Sequence, residues 1–207
     1  MDVSIVIVNY NTFEDTCNCI HSIYQLTKDI EFEIIVVDNQ STNFNPQEFK
    51  NLFPNINLII SAENGGFAKG NNQGIEIAKG KYVLLLNPDT ILNNNAIYYL
   101  WKEMEMDSTI GISTCHLEYG NGKTQFTARK LRTISWELLQ LTQLYRFFPK
   151  GKREEKMLHY YFPHDRKMEC DWVSGACMLI RMEAINKLPQ QQLSDIFFMY
   201  VEDALWC

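Results

Sequence analysis

The chain has 207 residues, of which 46% are hydrophobic and 21% charged, and a formal net charge of -6. That length allows one sizeable core and falls short of two ordinary domains. The acidic balance argues against nucleic acid as a partner, because phosphate backbones reward a basic face. Val3 to Val8 is rich in β-branched residues, as in a strand covered on both faces. Thr12 is placed to cap a helix in which Phe13, Cys17, Ile20, Tyr24 and Thr27 recur at helical spacing. Phe32 to Val37 predicts a second strand, stopped by DNQST, and PQEFKNLF a short helix. Ile56 to Ile60 predicts a third strand. AENGG then opens a helix from Phe67 to Lys79, with Gly80 as its C′ residue, and Tyr82 to Leu86 is a fourth strand.

This alternation specifies an α/β fold with a doubly wound, mainly parallel sheet, in which ligands bind beyond the carboxyl ends of the strands. Those ends carry NYNT, DNQST, SAENGG and NPDT, so four polar loops share one rim. The second half reads differently. It gives a helix over Asn93 to Met106, a strand over Ile110 to Cys115 and a hairpin turn at YGNGK. A helix over SWELLQLTQLYRFF follows, then a basic, aromatic loop from Pro149 to Lys167 and a strand in DWVSGACMLIR interrupted at Gly175. The expected organisation is one domain over 1–207, with a nucleotide-binding half (1–106) and a second-substrate half (107–207). Because the chain stops at YVEDALWC, inside what reads as an element, a C-terminal truncation is expected.

Six cysteines without a CxxC pair or paired histidine spacing point to reduced thiols rather than structural zinc. VSIVIV lacks the basic flank and length of a signal peptide, and no apolar run reaches a membrane span, so a cytoplasmic location is expected.

Each polar loop has two readings. Asp38 can bond a base or ribose, or close its own turn. Asn64 to Asn72 (NGGFAKGNN) fails the P-loop and GxGxxG patterns. It remains either an anion-binding helix start or a turn built by Gly65 and Gly66. Asp89 can share with Asp38 a divalent cation that separates these acids from a diphosphate, or serve a β-turn after Pro88. Glu202 and Asp203 offer a general base in apolar surroundings, or charge for a helix's first turn. Ser135 to Arg153 can lie on a membrane, apolar face down with KGKR at the headgroups, or cover a core.

Taken in order, VSIVIVNYNT, IIVVDNQST, NGGFAKGNNQGI, KYVLLLNPDT, WVSGACMLIRMEA and FFMYVEDALWC resemble the family 2 glycosyltransferases of GT-A fold, particularly their rhamnosyltransferase-like branch. The resemblance implies a donor pocket formed by Asn9, Tyr10, Asn11, Thr12, Asp38, Asn64, Gly65, Lys69, Gly70, Asn71 and Asn87. It makes Asp89 the retained acid of a DxD motif and the ligand of Mg²⁺ or Mn²⁺. Trp172, Ser174, Gly175 and Ala176 would floor the sugar and acceptor pocket. Asp203, beside Glu202, would be the general base of an inverting, direct transfer. The implied donor is a nucleotide-diphosphate sugar, dTDP-rhamnose-like or a UDP-sugar. The implied acceptor is a glycan or lipid-linked saccharide of cell-surface polysaccharide synthesis, with peripheral membrane contact where the acceptor is lipid-linked. Relatives carry a glycine-rich stretch where this chain has PQQQLSD, and continue past the ED motif. A non-catalytic nucleotide-sugar-binding module is the alternative. A sugar nucleotidyltransferase fits less well, since NYNTFED replaces its glycine- and arginine-rich loop.

Overall fold

The computed structural model describes residues 1–131, 133–156, 164–198 and 202–207. Its centre is a six-stranded sheet built from β1 (Val3–Asn9), β2 (Phe32–Asp38), β3 (Asn57–Ile60), β4 (Tyr82–Leu86), β5 (Ile112–Ser113) and β10 (Cys177–Arg181). Their spatial order is β3-β2-β1-β4-β10-β5. The first four strands run parallel, and β10 enters antiparallel to both β4 and β5. The sheet is therefore mixed, and the second half of the chain supplies two of its strands.

Both faces of the central strands are covered, which is why β1, β2 and β4 read as nearly continuous apolar runs. On one face Ile5, Ile7, Leu84 and Leu86 meet three helices. These are α1 (Phe13–Leu26) through Ile20 and Ile23, α2 (Glu48–Leu52) through Phe49, and α4 (Ala96–Met106) through Ile97 and Met104. On the other face Val6, Val8, Val83 and Leu85 meet Ala68 and Ile75 of α3 (Gly66–Ile77). Each such fully buried aliphatic side chain contributes about 1.5–3 kcal/mol relative to leaving it in water. α3 lies close on β1 because Gly70 and Gly74 face it. A Cβ on Gly70 would stand 2.8 Å from Val8 Cγ1, and one on Gly74 2.4 Å from Val6 Cγ1.

Several expectations need correction. Thr12 precedes α1 but does not cap it, because its hydroxyl donates to Asn9 Oδ1 instead, at 2.9 Å. α3 ends at Ile77, with Ala78 extended, so Gly80 is not its C′ residue. Gly80 is needed for a close approach, since its Cβ would lie 2.4 Å from the Ser4 amide. α4 starts at Ala96 rather than Asn93, and the strand expected over Ile110 to Cys115 shortens to β5. The YGNGK turn does join a hairpin, β6 (Leu117–Glu118) with β7 (Thr124–Gln125), and Gly122 takes φ +76° there.

The long helix expected after Ser135 breaks. α5 (Ile134–Leu141) stops before Gln143, which has φ +58°, and a 3-10 turn covers Leu144–Phe147. The loop expected from Pro149 contains α6 (Lys150–Lys156), and 157–163 lie outside the described residues. The DWVSGACMLIR strand splits at Ser174 to Ala176. β9 (Trp172–Val173) pairs with β8 (Ala128–Arg129) outside the main sheet, and β10 joins the sheet. α7 (Met182–Ile185) and α8 (Glu202–Trp206) complete the chain. Among the described residues no helix is long and apolar enough to cross a membrane.

Candidate active site at the carboxyl ends of the strands

Register places Asn9 directly beside Asp38 at the tips of β1 and β2. Asn9 Nδ2 donates to Asp38 Oδ1 at 2.7 Å and to Ser41 Oγ at 3.0 Å. Its Oδ1 accepts the hydroxyls of Thr12 and Thr16, each at 2.9 Å. Asp38 Oδ2 accepts the Ser41 amide at 2.9 Å, which closes its own loop, and both Asn9 and Asp38 are closed to solvent. Asn11 adopts φ +59°, a left-handed conformation that asparagine tolerates. Its amide donates to Ser41 Oγ at 2.9 Å and its Oδ1 accepts the Thr42 amide at 2.8 Å. Tyr10, between these anchored residues, stays exposed.

Asn39 and Ser41 lie in the DNQST loop that the sequence places on the rim, but of that loop only Asp38 is singled out there as a site residue. Asn39 is buried and joins the loop after β2 to the start of α3. Its Nδ2 donates to Asn64 Oδ1 at 2.8 Å and to the Gly66 carbonyl at 3.0 Å, and its Oδ1 accepts the Gly65 amide at 3.2 Å. The available signal was a second amide residue after a strand-ending Asp, opposite another Asn-Gly loop.

The start of α3 is not the open anion site that its glycines suggested. The Gly65 amide is held by Asn39, the Gly66 amide by Asn64 Oδ1 at 3.0 Å, and the Phe67 amide by the Phe198 carbonyl at 3.1 Å. Gly66 has φ +81°, and a Cβ there would lie 2.1 Å from the Phe198 oxygen. Lys69 projects outward and pairs with Glu63 at 2.8 Å. That pairing holds the Glu63 carboxyl below and the Lys69 ammonium above their ordinary ranges. Gly70 faces β1, and Asn71 is buried with its Nδ2 on the Phe67 carbonyl at 2.9 Å.

Asp89 stands exposed after β4, and its carboxylate makes no side-chain hydrogen bond among the described residues. Burial first, and then the Asp89 charge, push the Cys19 thiol up to about 12. Since Asp38 is enclosed by Asn9 and Ser41, the cation expected between the two acids would meet one exposed carboxylate, not two. Among the described residues no group of three or more His, Cys, Asp or Glu could hold a metal ion.

Two backbone amides connect this corner to the C-terminal acids. The Asn87 amide donates to the Ala176 carbonyl at 2.9 Å, and the Gly175 amide donates to Asp203 Oδ2 at 3.3 Å. A Cβ on Gly175 would come within 2.9 Å of Phe67 Cε1, so glycine lets this segment pack against the Phe67 ring, while the 3.7 Å to Asp203 Cβ would be an ordinary contact. Phe67 stacks on Trp206 at 5.9 Å, and the Trp206 indole donates to the Ser194 carbonyl at 2.9 Å. Asn72 clasps the backbone of Leu193 through bonds of 2.8 and 3.0 Å. Asp203 is thereby held half-buried beside Gly175. Glu202 is buried, with Oε2 unpartnered among the described residues. Met199, Tyr200 and Val201 of the FFMYVED stretch lie outside the described residues. Ser174 donates its amide to Thr127 at 2.8 Å, and the Arg129 guanidinium sits 4.8 Å over the Trp172 ring.

A mixed sheet whose first four strands deliver polar loops to one rim, crossed by an antiparallel strand that brings an acidic helix to it, defines the GT-A class of glycosyltransferase fold. Residues 4–188 match the model of glycosyl transferase family 2, and the chain belongs to that family. It is 34% identical over 119 residues to a poly(ribitol-phosphate) beta-glucosyltransferase of Bacillus spizizenii, covering 54% of this chain and 19% of that protein. It is 29% identical over 210 residues to the low-salt glycan biosynthesis hexosyltransferase Agl10 of Haloferax volcanii, covering 100% and 60%. Among solved structures, the mannosyltransferase PcManGT of Pyrobaculum calidifontis, in complex with GDP-Man and Mn²⁺, superposes with a TM-score of 0.63 at 16% identity. That match covers 98% of this chain and 49% of the other. S. aureus TarS 1-349 in complex with UDP superposes with a TM-score of 0.62 at 18% identity, covering 100% and 54%. The chain thus spans about half the length of these solved relatives.

Proposed function

We propose that the chain carries the catalytic site of an inverting glycosyltransferase. It would move a sugar from a nucleotide-diphosphate sugar, dTDP-rhamnose-like or a UDP-sugar, to a hydroxyl of a glycan or lipid-linked saccharide. The supporting observation is the pair of amide bonds, Asn87 to Ala176 and Gly175 to Asp203, that sets an exposed carboxylate and a positioned one on either side of one short segment. The relatives support the donor class: PcManGT is a complex with GDP-Man, and TarS with UDP.

On this reading the donor lies along the rim. Tyr10, Asn11 and Thr12 flank its base, with Asn9 and Asp38 fixing that loop from beneath. Asn64, Gly65 and Lys69, with Gly70 and Asn71 behind them, border the ribose and diphosphate. Trp172, Ser174, Gly175 and Ala176 floor the sugar. Asp89, aided by Asn87, fits Mg²⁺ or Mn²⁺, because such ions take one or two carboxylates together with substrate phosphates. When bound, the ion supplies Lewis-acid neutralisation of the diphosphate.

Asp203 accepts the proton of the acceptor hydroxyl while its other lone pairs stay on the Gly175 amide. The hydroxyl oxygen forms its bond to the anomeric carbon as the bond to the diphosphate oxygen breaks, and the diphosphate leaves with the electron pair. Attack from the side opposite the leaving group inverts the centre, and holding both reactants in line removes much of the entropic barrier. Glu202, enclosed behind Asp203, sets the local field rather than touching the acceptor. A lipid-linked acceptor is favoured by the exposed apolar residues of α5 and the 3-10 turn, among them Ile134 (83% exposed) and Phe147 (86%), which lead into basic α6.

The test is a thermal-shift panel of nucleoside diphosphates and their sugars with and without Mn²⁺. A ligand at a hundred times its dissociation constant stabilises by about 2.7 kcal/mol. Transfer that Asp203→Asn abolishes while the nucleotide shift survives supports the reading. Binding without turnover, in this chain and in a longer form alike, establishes the non-catalytic module instead. Pyrophosphate release from a nucleoside triphosphate and a sugar phosphate establishes the nucleotidyltransferase.

A further inference from the structure

A cavity of about 770 Å³ opens beside Asp89, between α4 and the β6–β7 hairpin. Asn87, Asp89 and Ala176 belong to its wall, so it continues directly from the rim. Ala176 adjoins Gly175, whose amide holds Asp203. A chain lying in the cavity would therefore end next to the base. Ligand pockets commonly measure about 300–1,000 Å³, and the upper part of that range suits more than one sugar ring.

Its chemistry is that of a surface for sugars. Tyr99 on α4 and Tyr119 at the hairpin turn line it, and they are 60% and 55% exposed. An exposed phenol pairs a flat apolar face with a hydroxyl, matching the apolar ring face and polar edge of a pyranose. The ring of Tyr99 and the backbone of Tyr119 are held in place. Tyr99 packs edge-on against Tyr98 at 5.5 Å, and the Tyr119 amide and carbonyl close the turn on Lys123 and Gly122 at 2.8 Å each. Gln125 and Asn93 add neutral hydrogen-bonding groups.

The charges select among acceptors. Among the described residues the wall carries Asp89, which on the glycosyltransferase reading belongs to the cation of the donor site, Glu103, which is ion-paired with Lys167, and Glu118. His116 is bonded to Thr124 Oγ1 at 3.1 Å. Among the described residues a phosphodiester would thus meet the charge of Glu118 with no lysine or arginine of the wall left to offset it, and like charges at close range repel.

We propose that this cavity is the acceptor-chain site and takes a neutral oligosaccharide across Tyr99 and Tyr119, rather than a polyanionic polymer. The inference rests on the glycosyltransferase reading above. It is tested by adding maltohexaose, chitohexaose, mannohexaose and an oligomer of ribitol phosphate to the ¹⁵N-labelled chain and following amide shifts. At least one neutral probe is expected to shift amides of α4 and the hairpin, and Tyr99→Ala and Tyr119→Ala are each expected to weaken it about tenfold. Shifts there from the ribitol phosphate oligomer alone, or from none of the neutral probes, overturn the inference. A parallel addition of nucleoside diphosphate with Mn²⁺ separates the two readings. If it moves the amides of NYNT and DNQST while neutral glycans move nothing, the acceptor site alone is wrong. If it too moves nothing, the glycosyltransferase reading fails first.

Discussion

Asn9 and Asp38 end neighbouring parallel strands in register, and a 2.7 Å hydrogen bond joins their side chains where water does not reach either. The amide thus serves as the counterpart of a buried carboxylate, and the same Asp38 holds the Ser41 amide. Removing either partner leaves a buried polar group unsatisfied, which costs about 1–3 kcal/mol, more where the remaining group is charged. Asn9→Ala is therefore expected to destabilise more than its lost contacts suggest. The double variant Asn9→Ala/Asp38→Ala should recover part of the loss, with a coupling of about 1–3 kcal/mol in urea unfolding. Strict additivity would show that the two side chains do not depend on one another.

The two carboxylates nearest the proposed chemistry should separate by assay. Asp89→Asn keeps the shape of the corner after β4 and removes its charge, so it is expected to erase the Mn²⁺-dependent part of nucleotide binding. Asp203→Asn is expected to leave that part intact and lower transfer by a factor of about 10² or more, the usual contribution of a positioned base. Equal loss of nucleotide binding in both variants would mean that Asp203 belongs to the donor side. Isothermal titration with and without Mn²⁺, followed by transfer assays, decides it.

Gly66 couples the loop before α3 to the C-terminal segment. Its φ of +81° disfavours any side chain, and a Cβ would press on the Phe198 carbonyl that accepts the Phe67 amide. Strain of this kind costs about 1–3 kcal/mol. Gly66→Ala is expected to free the segment that leads to α8, visible as faster amide exchange at Ala204 and Trp206, while the β1–β2 core keeps its protection. Unchanged exchange in α8 would show that the Phe198 contact does not hold Asp203 in place.

How far the sequence revealed this arrangement depends on the element. β1, β2 and β4 declared themselves because burial on both faces demands apolar residues at every position. The rim followed from their parallel order. The partners within the rim stayed hidden. Asn39 and Ser41 look like ordinary turn residues, and only the approach of the NGG loop shows which groups they bond. Gln143 breaks the long helix at positive φ without the Gly or Asn that usually marks such a bend. The interruption at Gly175 is legible in DWVSGACMLIR, but that β9 then pairs with β8 while β10 is captured by β4 is a tertiary choice that local patterning does not record.

Cys19 gives the fold an alkaline limit. Burial raises its thiol from 9.0 to about 12, and the carboxylate of Asp89 adds to the effect. The folded chain therefore keeps this proton at pH values where the unfolded chain releases it. The resulting stability is fully present below about pH 9 and falls as pH rises toward the folded value. The slope is about 1.4 kcal/mol per pH unit once the unfolded thiol is ionised. Urea unfolding between pH 8 and 11 is expected to show this decline, and Cys19→Ala should make it shallower, the raised thiols of Cys17 and Cys177 keeping the remainder. An equal slope in the variant would remove Cys19 as the cause.

The segment from Ile134 to Arg153 supplies the last test. Leu141 is 79% exposed, alongside Ile134 and Phe147, and Lys150 and Lys152 follow on α6. Water is a poor solvent for so many neighbouring apolar side chains. The interface of an anionic bilayer accepts them and rewards each nearby Lys or Arg by about 1 kcal/mol. If the acceptor is carried on a lipid, the chain is expected to sediment with vesicles rich in phosphatidylglycerol and to remain in solution with phosphatidylcholine alone. Leu141→Asp with Phe147→Asp should abolish the association at low salt. Raising salt should weaken it in the unsubstituted chain, because exposed charges are screened within about 10 Å at 0.1 M. Retained sedimentation in the double variant would place the membrane contact elsewhere. No sedimentation in the unsubstituted chain would leave the apolar side chains without a lipid role and favour a soluble glycan acceptor.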